Sequence, residues 1–382
     1  MDFLTEAYIA QANRLLRLPP TVLDALYESA VIVRGHEGLL ELLRQCKLDA
    51  LSETDVDTFA AAVEGYPKFV ADQETYLRST MGDHAGMFSV ILLLGLLDWM
   101  SAYYRSQGIS EDVQMDTLDD LLIWMKHHYE EKGAWGLGNL AWLLNHMGGK
   151  LHRLGRLQFI RKAFDQAVIG LRNVNNGQVI LLSEQGIAYR QDGRVDGTNG
   201  QWEAEQGWTS NYEQTHDSYT GNPILPSGFA ENTTVTLSTD EWRIVIQRGD
   251  SALEIHIPEG SPMTPQSCKE SVARAISFYH DRMPEQSIAS FVCVSWLLDP
   301  QLAQLVPEAS NISAFQKMLH LFPVRSDDRE TYERVFGTDK LDLSTAKKDS
   351  GLRRAIILHV ESGHRLHGGG GLLLVEDLSS IH

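Results

Sequence analysis

The stretch "ALEIHIPEGSPMTPQSCKE", residues 252–270, sets two titratable side chains, Glu254 and His256, two positions apart in an apolar run. In an extended strand that spacing turns both to one face and Leu253, Ile255 and Ile257 to the other. A carboxylate beside an imidazole can take a proton from a nucleophile, directly or through water, and imidazole is the side chain whose ordinary titration lies nearest neutral pH. Gly260 and the prolines at 258, 262 and 265 then turn the chain into a helix. Thr264 can cap that helix with Pro265 at its first position, or Ser267 and Glu270 can form an S-x-x-E box. In either register main-chain amides and the positive end of the helix dipole gather just past the strand, where an anion such as pyrophosphate could sit. The same unit also occurs where nothing binds, its caps then serving the helix alone.

These residues need a framework, and the chain supplies one in two textures. Up to about residue 150, apolar residues recur at three- and four-residue spacing, as in "TVLDALYESAVIV", "DTFAAAVEGYPKFVADQETYL" and "LDDLLIWMKHHYEE". Pro19 and Pro20 precede the second helix, Gly35 and Gly38 follow it, "SETD" at 52–55 offers N-caps, and Gly148 and Gly149 close the last helix. From residue 151 short strand-like runs take over: "RLQFIRKAF", "GQVILLS", "GIAYRQDG", "WRIVIQRGD", "ALEIHIP" and "SFVCVSWLL", the last apolar on both faces like a central strand. "DG" at 192–193 and "RGDS" at 248–251 read as hairpin turns, and helices are expected only at about 266–282 and 310–321. The reading is α+β: an all-α N-terminal domain, residues 1–150, followed by a mixed-sheet domain, residues 151–382. Residues 197–228, polar and aromatic with Trp202, Trp208, Tyr212 and Tyr219, read as a long loop able to serve as an acceptor-binding lid.

Composition removes several classes of function. With 51 acidic against 33 basic side chains in 382 residues the net charge is -18, which repels phosphate backbones, and no basic stripe offsets it. Nucleic acid is therefore excluded as a partner. Cys46, Cys268 and Cys293 are too few and scattered for a disulfide framework and read as core residues in a reduced, cytoplasmic setting. The N-terminal run carries Asp2 and Glu6 where a signal peptide is basic. "MFSVILLLGLLDWM", residues 87–100, meets Asp98 short of the ~20 residues a bilayer needs, so it reads as a core helix and no membrane partner is expected. His127 and His128 are neighbours on a helix and cannot face one ion. "SGHRLHGGGG", residues 362–371, lacks both supporting metal ligands and a P-loop lysine, so it reads as a turn and flexible hairpin. No metal is expected.

"SYTGNPILPSG", "LEIHIPEG", "SWLLDPQL" and "SNISAFQ" together resemble the GNAT-like C-terminal domain of a two-domain group of bacterial acyltransferases within the GNAT superfamily, in which a helical N-terminal acyltransferase domain comes first. The resemblance spans nearly the whole chain. It implies a mixed sheet in which strand, phosphate-cradling loop and helix, then a further strand and helix, line a cleft for acyl-CoA. Carried over by position, it makes Glu254 and His256 the catalytic pair, with Glu254 the preferred base. Ile255, Ile257, Gly260, Ser261, Thr264, Gln266, Ser267 and Asn311 become the residues that hold the cofactor. The loop departs from the superfamily pattern, reading "EGSPMTPQS" with Glu259 and a single glycine. Met318 stands where many relatives have the tyrosine that protonates the departing thiolate.

The chemistry implied is transfer of an acyl group, acetyl in the first instance, from acyl-CoA as co-substrate to an amine of a small-molecule or peptide acceptor. A base frees the amine, a main-chain amide of splayed strands holds the thioester oxygen, and the sulfur leaves with a proton. The alternative is a non-catalytic protein that keeps the fold and binds the ligand without turnover.

Overall fold

Thr5, Asp55, Ser110 and Asn139 each turn a side-chain oxygen onto the amide three residues ahead, at 3.3, 2.7, 3.5 and 3.2 Å in the computed structural model, and each opens a helix. The structure describes residues 1–46, 48, 55–203, 205–282 and 287–380, with the backbone alone at 379 and 380. Residues 52–54 of the expected cap "SETD" lie outside the described residues. The chain divides into two units, Met1–Ile160 with Ile257–Gly260, and Arg161–His256 with Ser261–His382.

The first unit contains α1 (Glu6–Leu16), α2 (Pro20–Arg34), α3 (Glu37–Gln45), α4 (Val56–Val63), α5 (Tyr66–Asp72), α6 (Glu74–Met81), α7 (Met87–Ser106), α8 (Glu111–Lys132) and α9 (Leu140–Met147). The run through Asp98 does not stop where the sequence suggests. Asp98 sits at the surface and meets the Tyr8 hydroxyl, so α7 continues for 20 residues. By length and composition α7 could cross a membrane, yet Phe88, Ile91, Leu92 and Met100 are fully buried within the protein. After α9 the chain turns into β1 (Leu151–Leu154), which pairs antiparallel with the start of β2 (Leu157–Ala163).

A buried polar cluster ties α8, α9 and the beginning of β2 together. Asp120 accepts the indole N–H of Trp142 at 2.8 Å and lies 3.1 Å from Nε2 of His146, whose other ring nitrogen is 3.1 Å from the Trp142 carbonyl. Gln158 Nε2 is 3.4 Å from His146. Burial pushes the Asp120 carboxyl up, but the bonds from His146, Trp142 and Gln158 outweigh it and hold the group below the usual aspartate range.

The second unit begins within β2 and continues through β3 (Val168–Asn173), β4 (Val179–Ser183), β5 (Ala188–Tyr189), β6 (Trp208–Thr209), β7 (Tyr212–Gln214), β8 (Ser218–Gly221), β9 (Pro223–Ile224), β10 (Val235–Ser238), β11 (Trp242–Ile246) and β12 (Ser251–His256). Then come α10 (Pro265–Arg282), β13 (Ser290–Ser295), α11 (Leu302–Leu305), α12 (Asn311–Lys317), β14 (His320–Pro323), α13 (Arg329–Phe336), α14 (Gly351–Glu361) and β15 (Gly369–Leu374). Its main sheet runs from the end of β2 through β12, β13 and β15 to β14, with β12 and β13 parallel and both β15 pairings antiparallel. A second sheet, β11-β3-β4-β9, packs on it through Phe164, Val168, Leu181, Ile246, Ala252, Val292, Phe322 and Leu372.

Five sequence expectations change, the first being the helices: α11, α13 and α14 add to the two expected in this unit. The "RGDS" turn links strands of different sheets rather than a hairpin, because β11 pairs with β3 and β12 with β13. Residues 197–228 are organised by β6 to β9, since their aromatic side chains alternate into small sheets: Tyr219 is 8% exposed and Trp208 stacks on Tyr189 at 4.7 Å. The helix expected over 310–321 ends at Lys317, because the apolar residues after it belong to β14. The glycine run is no flexible hairpin. Gly369–Leu374 is β15, buried at every position between β13 and β14.

Replacing Asp120 by Ala leaves the His146 ring and the Trp142 N–H buried without their acceptor, and the helical unit should lose about 3–5 kcal/mol in urea denaturation. The depressed carboxyl also fixes a sign: its stabilisation is present above the unfolded aspartate range and fades as pH falls through the folded value. Asp120→Asn should flatten that acid limb of the stability profile.

Candidate functional site

Alternation along β12 buries Leu253 and Ile255 on one face and leaves Glu254 and His256 half-buried on the other. The Glu254 carboxylate lies 3.7 Å from Nε2 of His256 and 3.5 Å from Nζ of Lys162 on β2; Lys162 also contacts Asp165 at 2.8 Å. The nearby His256 ring is the main cause holding the Glu254 carboxyl below its ordinary range; burial opposes it, and Lys162 adds to it. Lys162 escaped the sequence reading because only the pairing of β2 with β12 brings it near.

The strands carrying these residues part company. β12 and β13 pair at Ala252↔Ser290, Leu253↔Phe291 and Glu254↔Val292, and the ladder ends there although β12 runs on to His256 and β13 to Ser295. On its other edge β13 stays paired with β15 as far as Ser295↔Gly369. An extended ligand arm entering the gap can take up main-chain bonding that the ladder no longer uses.

Beyond β13 the chain is pinned by buried polar groups that no sequence motif announces. Asp299 is fully buried, accepts the amides of His367 and Gln301 at 2.9 Å each, and lies 3.3 Å from His367 Nε2. Gln316 Nε2 donates to the carbonyls of Leu297 and Asp299 at 2.8 and 2.9 Å. His367, considered from sequence only as a metal or phosphate ligand, thus serves this network. Among the described residues no group of three or more His, Cys, Asp or Glu side chains could hold a metal ion.

At the start of α10 the structure selects one of the two registers. Thr264 Oγ1 accepts the Ser267 amide at 3.2 Å, and the Ser267 hydroxyl returns a bond to the Thr264 carbonyl at 2.9 Å. The Thr264 amide bonds the Pro262 carbonyl at 3.0 Å. With Pro265 having no N–H, the main-chain donors of this turn reduce to that of Gln266, fewer than the sequence suggests. Thr264, Pro265 and Gln266 are exposed, so side chains do not plug the helix start. Ser261 is also exposed, and Asn311 is half-buried at the first position of α12, which packs on α10.

Ile257–Gly260 groups with the helical unit. There Arg156 donates to the Pro258 carbonyl at 2.7 Å, and Glu259, the loop's departure from the superfamily pattern, lies 2.6 Å from Nε2 of His127. Gly260 has φ 137°, a conformation that favours glycine, while Ile257 is half-buried. Cys268 and Cys293 are buried, and burial pushes the Cys293 thiol far above its ordinary range, which removes it as a nucleophile. A cavity of about 390 Å³ in the helical unit, lined by Phe59, Val63, Pro67, Leu144 and Lys150 among others, contains none of the expected site residues.

Comparison with known proteins follows this division. Residues 7–149 match the family model of the N-acyltransferase N-terminal domain, and residues 151–373 that of the GNAT-like C-terminal domain. The fold is similar to that of a solved acyltransferase in complex with decanoyl-CoA and teicoplanin, with 20% identity, TM-score 0.52, and coverage of 96% of this chain and 99% of that one. It is also similar to an acyltransferase mutant in complex with octanoyl-CoA, with 19% identity, TM-score 0.53 and the same coverage. No curated protein matches the chain.

Replacing His256 by Ala removes the chief cause of the Glu254 depression. The carboxyl should then titrate higher, back toward the ordinary glutamate range, as followed by carbon-detected NMR. An unmoved midpoint would assign the effect to Lys162.

Proposed function

We propose, from the premise that the chain belongs to the acyltransferase family joining an N-acyltransferase N-terminal domain to a GNAT-like C-terminal domain, that it transfers an acyl group from acyl-CoA to an amine. The observation that carries this reading is the early end of the β12/β13 ladder beside a half-buried Glu/His pair. The acceptor is a small molecule or peptide; a solved relative holds teicoplanin together with its acyl-CoA. The donor is acetyl-CoA in the first instance, and because solved relatives hold octanoyl- and decanoyl-CoA the test must span those lengths. Three buried free thiols suit a reducing compartment, and we place the protein in the cytoplasm.

In the proposed reaction the acceptor nitrogen loses a proton to a base and attacks the thioester carbon. The new C–N bond forms, the tetrahedral oxyanion collapses, the C–S bond breaks, and the sulfur leaves as the thiol after taking up a proton. The sequence favours Glu254 as the base, but a carboxyl held below its ordinary range accepts a proton poorly. We therefore assign proton acceptance to His256 and read Glu254 as the charge that orients it. Ile255, Ile257, Gly260, Ser261, Thr264, Gln266, Ser267 and Asn311 remain the proposed cofactor contacts.

Thiol release with acyl-CoA and a panel of amines tests the reading. His256→Ala should lower kcat by about 10²–10⁴, whereas Glu254→Gln should slow the reaction less. Binding of acyl-CoA with no thiol released for any amine would favour the non-catalytic alternative.

A further inference from the structure

β13 lies inside its sheet, between β12 and β15, where a valine should be covered on both faces. Val294 is nevertheless 43% exposed. It faces Gly370 of β15 in register, and Gly370 faces Phe322 of β14, so the three form one row on one face. Gly370 has no side chain to fill the row. A Cβ there would lie 2.0 Å from the Phe322 ring, so the ring reaches across the glycine, and it is itself buried. The row is a step: open floor at Val294, aromatic wall one strand away.

The opposite face offers no such room. Ile255, Cys293 and Leu321 are all buried there, and a Cβ on Gly371 would meet Leu319 and Leu298 at 2.8 and 3.0 Å. Glu254 pairs with Val292, two residues before Val294, so Glu254, His256 and Val294 share one face; the second sheet covers Ala252, Val292 and Leu372 on it and leaves Val294 exposed. A thioester held between the parted strands has space for its acyl group over the exposed Val294.

We infer that the row Val294–Gly370–Phe322 is the acyl subsite of this enzyme, Val294 its floor and the Phe322 ring the stop that limits chain length. The inference rests on the acyl-CoA reading above and deepens it to a substrate class: short linear acyl groups. From floor to wall the row spans about one interstrand spacing, ~4.8 Å, which accommodates a few carbon atoms.

The experiment is calorimetric binding of free CoA and of acetyl-, butyryl-, octanoyl- and decanoyl-CoA to the full chain and its variants, which needs no knowledge of the acceptor. In the parent, butyryl-CoA should bind at least as tightly as acetyl-CoA, and octanoyl- and decanoyl-CoA about ten-fold more weakly. Val294→Phe, at an exposed position where folding is not at stake, should weaken butyryl-CoA about ten-fold relative to free CoA, which carries no acyl chain and reports on the rest of the site. Phe322→Leu should narrow the gap between octanoyl- and acetyl-CoA. Failure of the parent to bind free CoA or any thioester would overturn the acyl-CoA reading and this inference together. If CoA binds, but the acyl-CoA to CoA ratios stay the same in Val294→Phe, the subsite assignment alone is wrong.

Discussion

Two parallel strands that cease pairing before either ends form the constraint on which the rest of the second unit depends. A gap in a sheet leaves main-chain donors and acceptors without their ladder, and closing it would recover about 0.5–1.5 kcal/mol net for each bond regained. The gap persists because each strand is held elsewhere. β13 keeps its full antiparallel ladder with β15 and is anchored past its end by Asp299 and Gln316. β12 is anchored by buried Leu253 and Ile255 and by β2 along its other edge. An extended arm bearing amide groups can recover the bonding that the two strands forgo.

The chain's large negative charge would seem to oppose an anionic ligand. At physiological ionic strength, however, charges more than about 8 Å away are largely screened, so the nearest groups decide. The acidic residues of the stretch that contains the site are each engaged: Glu254 by Lys162 and His256, Glu259 by His127, Glu270 by Gln266. The carboxylate that departs from the superfamily loop is therefore hydrogen-bonded locally, to a histidine from α8 that sequence spacing could not connect with it. Engagement also redistributes the chemical roles, since the interactions that keep Glu254 ionised make it a weaker proton acceptor.

Much of the fold was legible because local rules and tertiary packing agree. Helical periodicity, Pro20 at a helix start, Asp55 as a cap and the Thr264–Pro265 entry to α10 each have a short-range physical cause, and the structure uses each one. The alternation in "LEIHIP" likewise placed Glu254 and His256 on one face. What remained hidden depends on which strand pairs with which. Lys162 reaches Glu254 only through the β2–β12 neighbourhood, Asp299 meets His367 across 68 residues, and the "RGDS" turn changes sheets because both of its strands find partners elsewhere. Likewise, Asp98 did not end α7, because a surface carboxylate costs an otherwise buried helix little.

The glycine run at 368–371 shows why composition alone misled. Four glycines in sequence suggest a flexible loop or a phosphate cradle, yet here their common property is the missing Cβ. At Gly369 a Cβ would lie 2.1 Å from the Leu298 carbonyl, and at Gly370 it would strike the Phe322 ring. Glycine lets the short turn after β13, Trp296–Leu298, settle directly on β15, and it lets the β14 aromatic reach across the strand. That close approach puts Asp299 within reach of the His367 amide, and the resulting bond fixes where β13 ends. The glycines are thus upstream of the site geometry: they set how near the turn can come, the turn sets the anchor, and the anchor keeps β13 from following β12.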